Sequence, residues 1–192
     1  MIHKHRDVRL FYVVGPSGSG KDSILRYFRQ HMIHTGEHPV SVAHRYITRP
    51  ADNNENSIAL SDEEFKLRQQ KQLFIMQWQA NGFYYGIGNE VDLWLNAGVS
   101  VIVNGSRAYL PEACKRFGNK LHSIQIIVSD DVLEQRLRQR NRESEGEIQL
   151  RLQRHRRLQP QYETDSVIVN DTSIEQAANR LLSITQHISS KH

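Results

Sequence analysis

The sequence predicts an α/β fold in which a parallel sheet is flanked by helices on both faces. Three observations carry that prediction. Short apolar runs rich in β-branched and aromatic residues alternate with segments of helical period. A glycine-rich loop joins the first run to the first helical segment. A stretch that is polar over 52–57 and aromatic over 74–85 then breaks the alternation and predicts an inserted subdomain.

The elements follow in order. Residues 8–14 (VRLFYVV) predict a buried strand. Residues 21–34 predict a helix with Ile24, Leu25, Phe28 and Met32 on one face. Further strands are expected over 41–47, 99–103, 123–128 and 166–169. Helices are expected over 62–70, 131–142, 147–158 and 174–188. In the last of these, Ile174, Ala177, Ala178, Leu181, Leu182 and Ile188 keep the helical period. The predicted organisation is one domain: a core from 8–40, 95–130 and 159–192, an acceptor-binding subdomain over 41–94, and a lid with adjoining helices over 131–158.

Composition narrows the class. The chain has 192 residues, 38% hydrophobic and 24% charged, which suits one globular domain and excludes a disordered or fibrous chain. Its single cysteine, Cys114, excludes an internal disulfide and a cysteine-cluster metal site. The 10 histidines are scattered without the spacing of zinc ligands. No run approaches the roughly 18 apolar residues of a membrane span. A cytoplasmic protein that binds neither membrane nor nucleic acid is the expectation.

The strongest signal is Gly15-Pro16-Ser17-Gly18-Ser19-Gly20-Lys21. It matches G-x-x-x-x-G-K between a strand and a helix, the context in which that pattern binds nucleotide phosphates. Glycines let the backbone curl until successive N–H groups face phosphate oxygens, and the following helix N-terminus adds partial positive charge. The fold is therefore expected to be of the P-loop NTPase type. The ATP site is expected to comprise Gly15 to Lys21 with Asp22 and Ser23, and Lys21 to reach the β/γ-phosphates. The pattern wants Ser or Thr after the lysine to hold Mg²⁺, and this chain has Asp22 followed by Ser23. Both are candidate Mg²⁺ ligands, directly or through water. The alternative for Asp22 is a carboxylate that merely favours the first helical turn.

Further pieces resemble the guanylate kinase family of nucleoside monophosphate kinases. They are Ile47-Thr48-Arg49-Pro50, Ser61-Asp62-Glu63-Glu64-Phe65, Phe74-Ile75 with Trp78, Tyr84-Tyr85-Gly86, Ala97-Gly98, the 136–152 segment and Val167-Ile168-Val169-Asn170-Asp171. Together with the loop they span residues 10–178. The resemblance implies an ATP-dependent kinase, with Mg²⁺, whose acceptor is a phosphate group. It implies that Arg49 and Tyr85 grip that phosphate, and that Arg142 and Arg151 join Lys21 in stabilising the transferring phosphoryl group. Arginine suits this work because its planar fork binds phosphate bidentately.

The departures bear on the acceptor. The position of a second phosphate-binding arginine holds Asp52, and the polar loop offers Ser57 where the family has a tyrosine. Gln77 replaces the guanine-reading glutamate, and Asn104-Gly105-Ser106 replaces an Asp-x-Asp. Glutamine presents one acceptor and one donor where glutamate presents only acceptors. The phosphate grips thus persist while the base-reading groups change, so a small phosphorylated acceptor without guanine is expected, with Gln77 and Asn104 on its hydroxyls. With Asp22 after the lysine, the chain resembles a branch of the family acting on a sugar bisphosphate. That implies transfer to the 1-phosphate of ribose 1,5-bisphosphate, giving 5-phosphoribosyl 1-diphosphate, in phosphonate metabolism. The alternatives are a guanylate kinase with a divergent acceptor site and a non-catalytic interaction module. Intact Gly15–Lys21 argues against the module.

The net charge of +4 could indicate a nucleic-acid partner. Its location says otherwise. Residues 136–157 hold eight arginines against three acids, a net +5, which leaves the rest of the chain at −1. A local excess beside a phosphate loop suits a small polyanion.

Overall fold

The computed structural model describes residues 8–33, 39–51, 55–140, 144–158 and 163–189. A five-stranded sheet forms its centre, in the order β2 (Val40–Val42), β7 (Ser100–Asn104), β1 (Leu10–Val14), β8 (Leu121–Ile127), β9 (Ser166–Val169). Every neighbouring pair in it is parallel. β1 is entirely buried, as a strand covered on both faces must be.

The pleat of β1 divides the core. Phe11 and Val13 join Ile24 and Phe28 of α1 (Lys21–His31) and Ala178 and Leu181 of α7 (Ile174–Ser189) on one face. Leu10, Tyr12 and Val14 join Val91 of α3 (Glu90–Asn96) and Leu110 and Ala113 of α4 (Leu110–Phe117) on the other. This is the strand periodicity of two applied to one run of five residues.

A second sheet has the order β4 (Ser57–Ala59), β3 (Arg45–Ile47), β6 (Phe83–Gly88), β5 (Phe74–Ala80). The expected single strand over 41–47 is two strands in two sheets. β2 pairs with β7, then the chain turns at Ala43-His44 and β3 pairs with β6. Ala43 N–H still donates to Ile102 O at 2.9 Å, and Asn56 Nδ2 reaches the carbonyls of Val42 and Ala43 at 3.3 and 3.0 Å. The Ala43 N–H and the Val42 and Ala43 carbonyls at the break are thereby met. The β5–β6 hairpin, α3 and α4 lie in stretches where the sequence reading specified no element.

The expected helix over 62–70 is α2 (Asp62–Gln70), with Ser61 accepting from Glu64 N–H at 3.1 Å as its N-cap. α5 (Asp130–Arg140) and α6 (Glu145–Leu158) share a small core of Leu133, Leu137, Ile148 and Leu152. Glu134 and Arg138, one turn apart on α5, pair at 2.8 Å, and Arg138 also bridges to Glu145 on α6 at 2.6 Å. No helix among the described residues is long and apolar enough to cross a membrane.

Candidate active site

The site gathers at the carboxyl ends of the central strands. β1 lies between β7 and β8, so the loop after β1 leaves the sheet where connections to left and right diverge, the usual ligand crevice of such sheets. Gly18 and Gly20 hold φ of +90° and +87°, a region closed to most side chains. Space forbids them too: a Cβ on Gly20 would stand 2.4 Å from Asn170 Nδ2, and one on Gly18 2.6 Å from Leu133. No side chain caps the N-terminus of α1, so its first N–H groups face the loop's concavity as an anion site.

Lys21 Nζ folds over this loop and donates to Gly15 O and Pro16 O at 2.8 and 2.9 Å. Burial pushes its pKa down to about 8; Asp22 opposes the shift, and Arg45 and Arg107 add to it. Two buttresses hold the loop from behind. Asn170, fully buried after β9, donates Nδ2 to Ser19 O at 2.7 Å. Arg151 on α6 donates to Ser17 Oγ at 3.3 Å. Arg142 lies outside the described residues.

Asp22 is the second residue of α1, beside Ser23. Its Oδ1 accepts from Asn104 Nδ2 at 2.7 Å and stands 3.6 Å from Arg45 Nη2. Asn104 is the last residue of β7 and pairs in register with Val13 of β1. The turn after it is pinned by Tyr12, whose hydroxyl donates to Ser106 O at 3.0 Å and accepts from Ser106 N–H at 2.9 Å. Burial pushes the Tyr12 phenol well above its ordinary pKa, so it stays a neutral donor.

Across from the loop, Thr48 pairs with Tyr84 through both its backbone N–H and its Oγ1. That pairing brings Arg49 out beside Tyr85. Arg49 Nη2 makes a bidentate contact with Glu55 at 2.7 and 2.9 Å. Burial works against the Arg49 charge, but the hydrogen bonds it donates to Glu55 and Tyr85 outweigh it and raise its pKa. Glu55 also meets Arg45 at 3.4 Å. The Arg45 guanidinium lies 5.6 Å from the Tyr85 ring centroid, and Tyr85 stacks on Trp78 at 5.7 Å.

The structure therefore brings Lys21, Asp22 and Asn104 together, and links them through Arg45 to Glu55, Arg49 and Tyr85. It does not bring Gln77 to this group. Gln77 precedes Trp78 in β5, and successive strand residues face opposite ways. It lines a separate cleft with Phe74, Gln69, Gln72 and Glu90. Asn104, expected on acceptor hydroxyls, has its amide nitrogen committed to Asp22. The sequence by itself assigns no site role to Arg45, Glu55, Tyr12 or Asn170. A lone polar residue just after an apolar strand, as at Asn170, was the available signal.

Asp22 and Ser23 fit a Mg²⁺ ion by chemistry: both offer hard oxygen donors on the first turn beside the phosphate cradle. Among the described residues no group of three or more His, Cys, Asp or Glu could cage a metal. Such a sparse set matches the way Mg²⁺ is usually shared between one or two side chains and substrate phosphates.

Comparison with known proteins supplies the family. The model of the guanylate kinase family matches residues 7–188. A Pectobacterium parmentieri protein named ribose 1,5-bisphosphate phosphokinase PhnN is 51% identical over 168 residues, 85% of each chain. One of that name from Enterobacter lignolyticus is 47% identical over 190 residues, covering 96% of this chain and 97% of its own. The crystal structure of guanylate kinase from Anaplasma phagocytophilum superposes with a TM-score of 0.69 at 20% identity, over 97% of this chain and 88% of that one.

Proposed function

The chain belongs to the guanylate kinase family, and from that premise we propose that it transfers the γ-phosphoryl group of ATP to the 1-phosphate of ribose 1,5-bisphosphate, giving 5-phosphoribosyl 1-diphosphate and ADP. It is a kinase, with the P-loop α/β fold of one. The observation that carries the choice of acceptor is the identity near 50% with relatives named for that substrate, over most of both chains. The altered site, with Asn104 in place of a carboxylate, supports it. Phosphonate metabolism is the matching context, in the cytoplasm.

In this reading the segment 41–94 carries the acceptor and 131–158 is the lid. ATP phosphates take the place of the Gly15 and Pro16 carbonyls on Lys21, within the backbone cradle 15–21. Asp22 and Ser23 hold Mg²⁺, which when bound neutralises the donor's phosphate charge. Arg49, oriented by Glu55 and by Tyr85, grips an acceptor phosphate. Arg151, with Arg142, meets the transferring group from the lid. The nucleophile is a phosphate oxygen already charged at neutral pH, so positioning and charge neutralisation replace a general base.

An acceptor panel with product identification by phosphorus NMR tests this. Ribose 1,5-bisphosphate is expected to yield ADP and a 1-diphosphate signal, and GMP neither. Rapid ADP formation with GMP and none with ribose 1,5-bisphosphate overturns the reading in favour of a guanylate kinase.

A further inference from the structure

A small cleft, partly open, lies between the phosphate-loop helix and the second sheet, lined by Asp22, Arg45, Asn56, Ser57 and Asn104 with apolar side chains behind them. It has room for roughly one water-sized group. Three buried side-chain atoms of these residues have no hydrogen-bond partner among the described residues: Arg45 Nε, Ser57 Oγ and Asn104 Oδ1. Buried polar groups are ordinarily satisfied, so three unmet ones around one cleft call for a ligand atom.

Their placement is deliberate in the fold. Arg45 and Ser57 are register partners in the parallel β3–β4 pair, so their side chains share a face. Asn56 is spent on structure: its backbone carbonyl accepts from Arg45 N–H at 3.0 Å and its amide holds the Val42 and Ala43 carbonyls. Asn104 Nδ2 is committed to Asp22, which leaves its oxygen as an acceptor only. The unmet set is then one donor (Arg45 Nε), one acceptor (Asn104 Oδ1) and one group that does both (Ser57 Oγ). A phosphate oxygen accepts only, is too large as a group, and would meet the Asp22 carboxylate. A hydroxyl both donates and accepts, and fits the space.

We infer that Arg45, Ser57 and Asn104 form a subsite that reads a ring hydroxyl of the sugar acceptor. This rests on the pentose bisphosphate acceptor proposed above and adds the groups that would select a ribose over a deoxyribose. The hydroxyl donates to Asn104 Oδ1 and accepts from Arg45 Nε, with Ser57 completing the set. Because the same Asn104 orients Asp22 at the head of α1, filling the subsite ties acceptor identity to the phosphate-loop side of the site.

The test is kcat/KM for ribose 1,5-bisphosphate and for its 2-deoxy and 3-deoxy analogues, in the wild type, Ser57→Ala and Ser57→Thr. The wild type is expected to disfavour one deoxy analogue by about 10- to 100-fold, the cost of leaving buried partners unmet. Ser57→Ala should lose several-fold on the ribose acceptor, and less than about 2-fold on that analogue if the lost contact is the one to the missing hydroxyl. Ser57→Thr, which keeps the hydroxyl, should regain the preference. ATP KM and the melting temperature serve as controls and should hold in all three proteins. Equal kcat/KM for all three acceptors in the wild type overturns the subsite alone. So does a Ser57→Ala loss of the same factor on every acceptor, which would mark a structural role. No turnover of any pentose acceptor overturns the reaction and the subsite together.

Discussion

The phosphate loop and the second sheet face one another and handle charge by opposite means. The loop works through its backbone: glycines in left-handed conformations, an uncapped helix N-terminus and one lysine. The second sheet works through side chains: Arg45 and Arg49 share one carboxylate, Glu55, and both meet Tyr85, Arg45 at its ring and Arg49 through a hydrogen bond. A backbone site is built from contiguous residues and tolerates almost no added atoms. A side-chain site is assembled from elements far apart in sequence and can be retuned one residue at a time. That difference explains how one family keeps its donor site while changing its acceptor.

The contrast can be broken at its strongest point first. Lys21→Ala removes the loop's only side-chain cation, and kcat should fall by about 10²- to 10³-fold, measured by ADP release at saturating acceptor. If instead acceptor KM absorbs the loss, the division of labour between the two regions is wrong. Next, Arg49→Ala should lower kcat/KM for the acceptor by roughly 10- to 100-fold, the worth of a charge-assisted hydrogen bond, with ATP KM moving less than about 3-fold. Equal effects on both substrates would mean that Arg49 serves the site as a whole.

A third prediction concerns the turn that links the regions. A Cβ on Gly105 would stand 2.1 Å from the Tyr12 ring, and the ring cannot yield without losing both bonds to Ser106. Gly105→Ala should cost about 1–3 kcal/mol as overpacking, read from urea unfolding. The smallest effect is pH dependence. Since Lys21 in the free protein titrates at about 8 rather than its ordinary 10.5, ATP KM should rise as pH climbs through about 8, because ATP must then bind together with a proton. Stability runs the other way: between about 8 and 10.5 the unfolded chain holds the extra proton, so Lys21's contribution to stability rises with pH across that window. An ATP KM flat from pH 7 to 9.5 would show that Lys21 keeps its proton in the free protein.

What could be read in the chain follows the same division. The loop, β1, α1, α2 and the α7 face were legible because each is set by a local pattern: glycine positions, a five-residue apolar run, an N-cap serine, a helical period. The split of 41–47 into β2 and β3 was not. Nothing local in SVAHRYI marks the turn, and it forms because Asn56 and Ile102, from elsewhere in the chain, satisfy the backbone at the break. Gln77 was assigned by its neighbour in a motif, and strand alternation turned it to the other face. Arg45 lies inside the expected strand 41–47, yet sits between two carboxylates, Asp22 and Glu55, from other segments.

By itself, then, the sequence determined the phosphate-binding loop, the parallel α/β core and the family, because contiguous residues encode all three. Only the tertiary structure decided which side chains gather beside the loop. Asp22 and Asn104 are 82 residues apart, and Arg151 and Ser17 are 134 apart. Such contacts exist only once the sheet order β2-β7-β1-β8-β9 has drawn their strand ends to one edge, and no local pattern carries the information that they will meet.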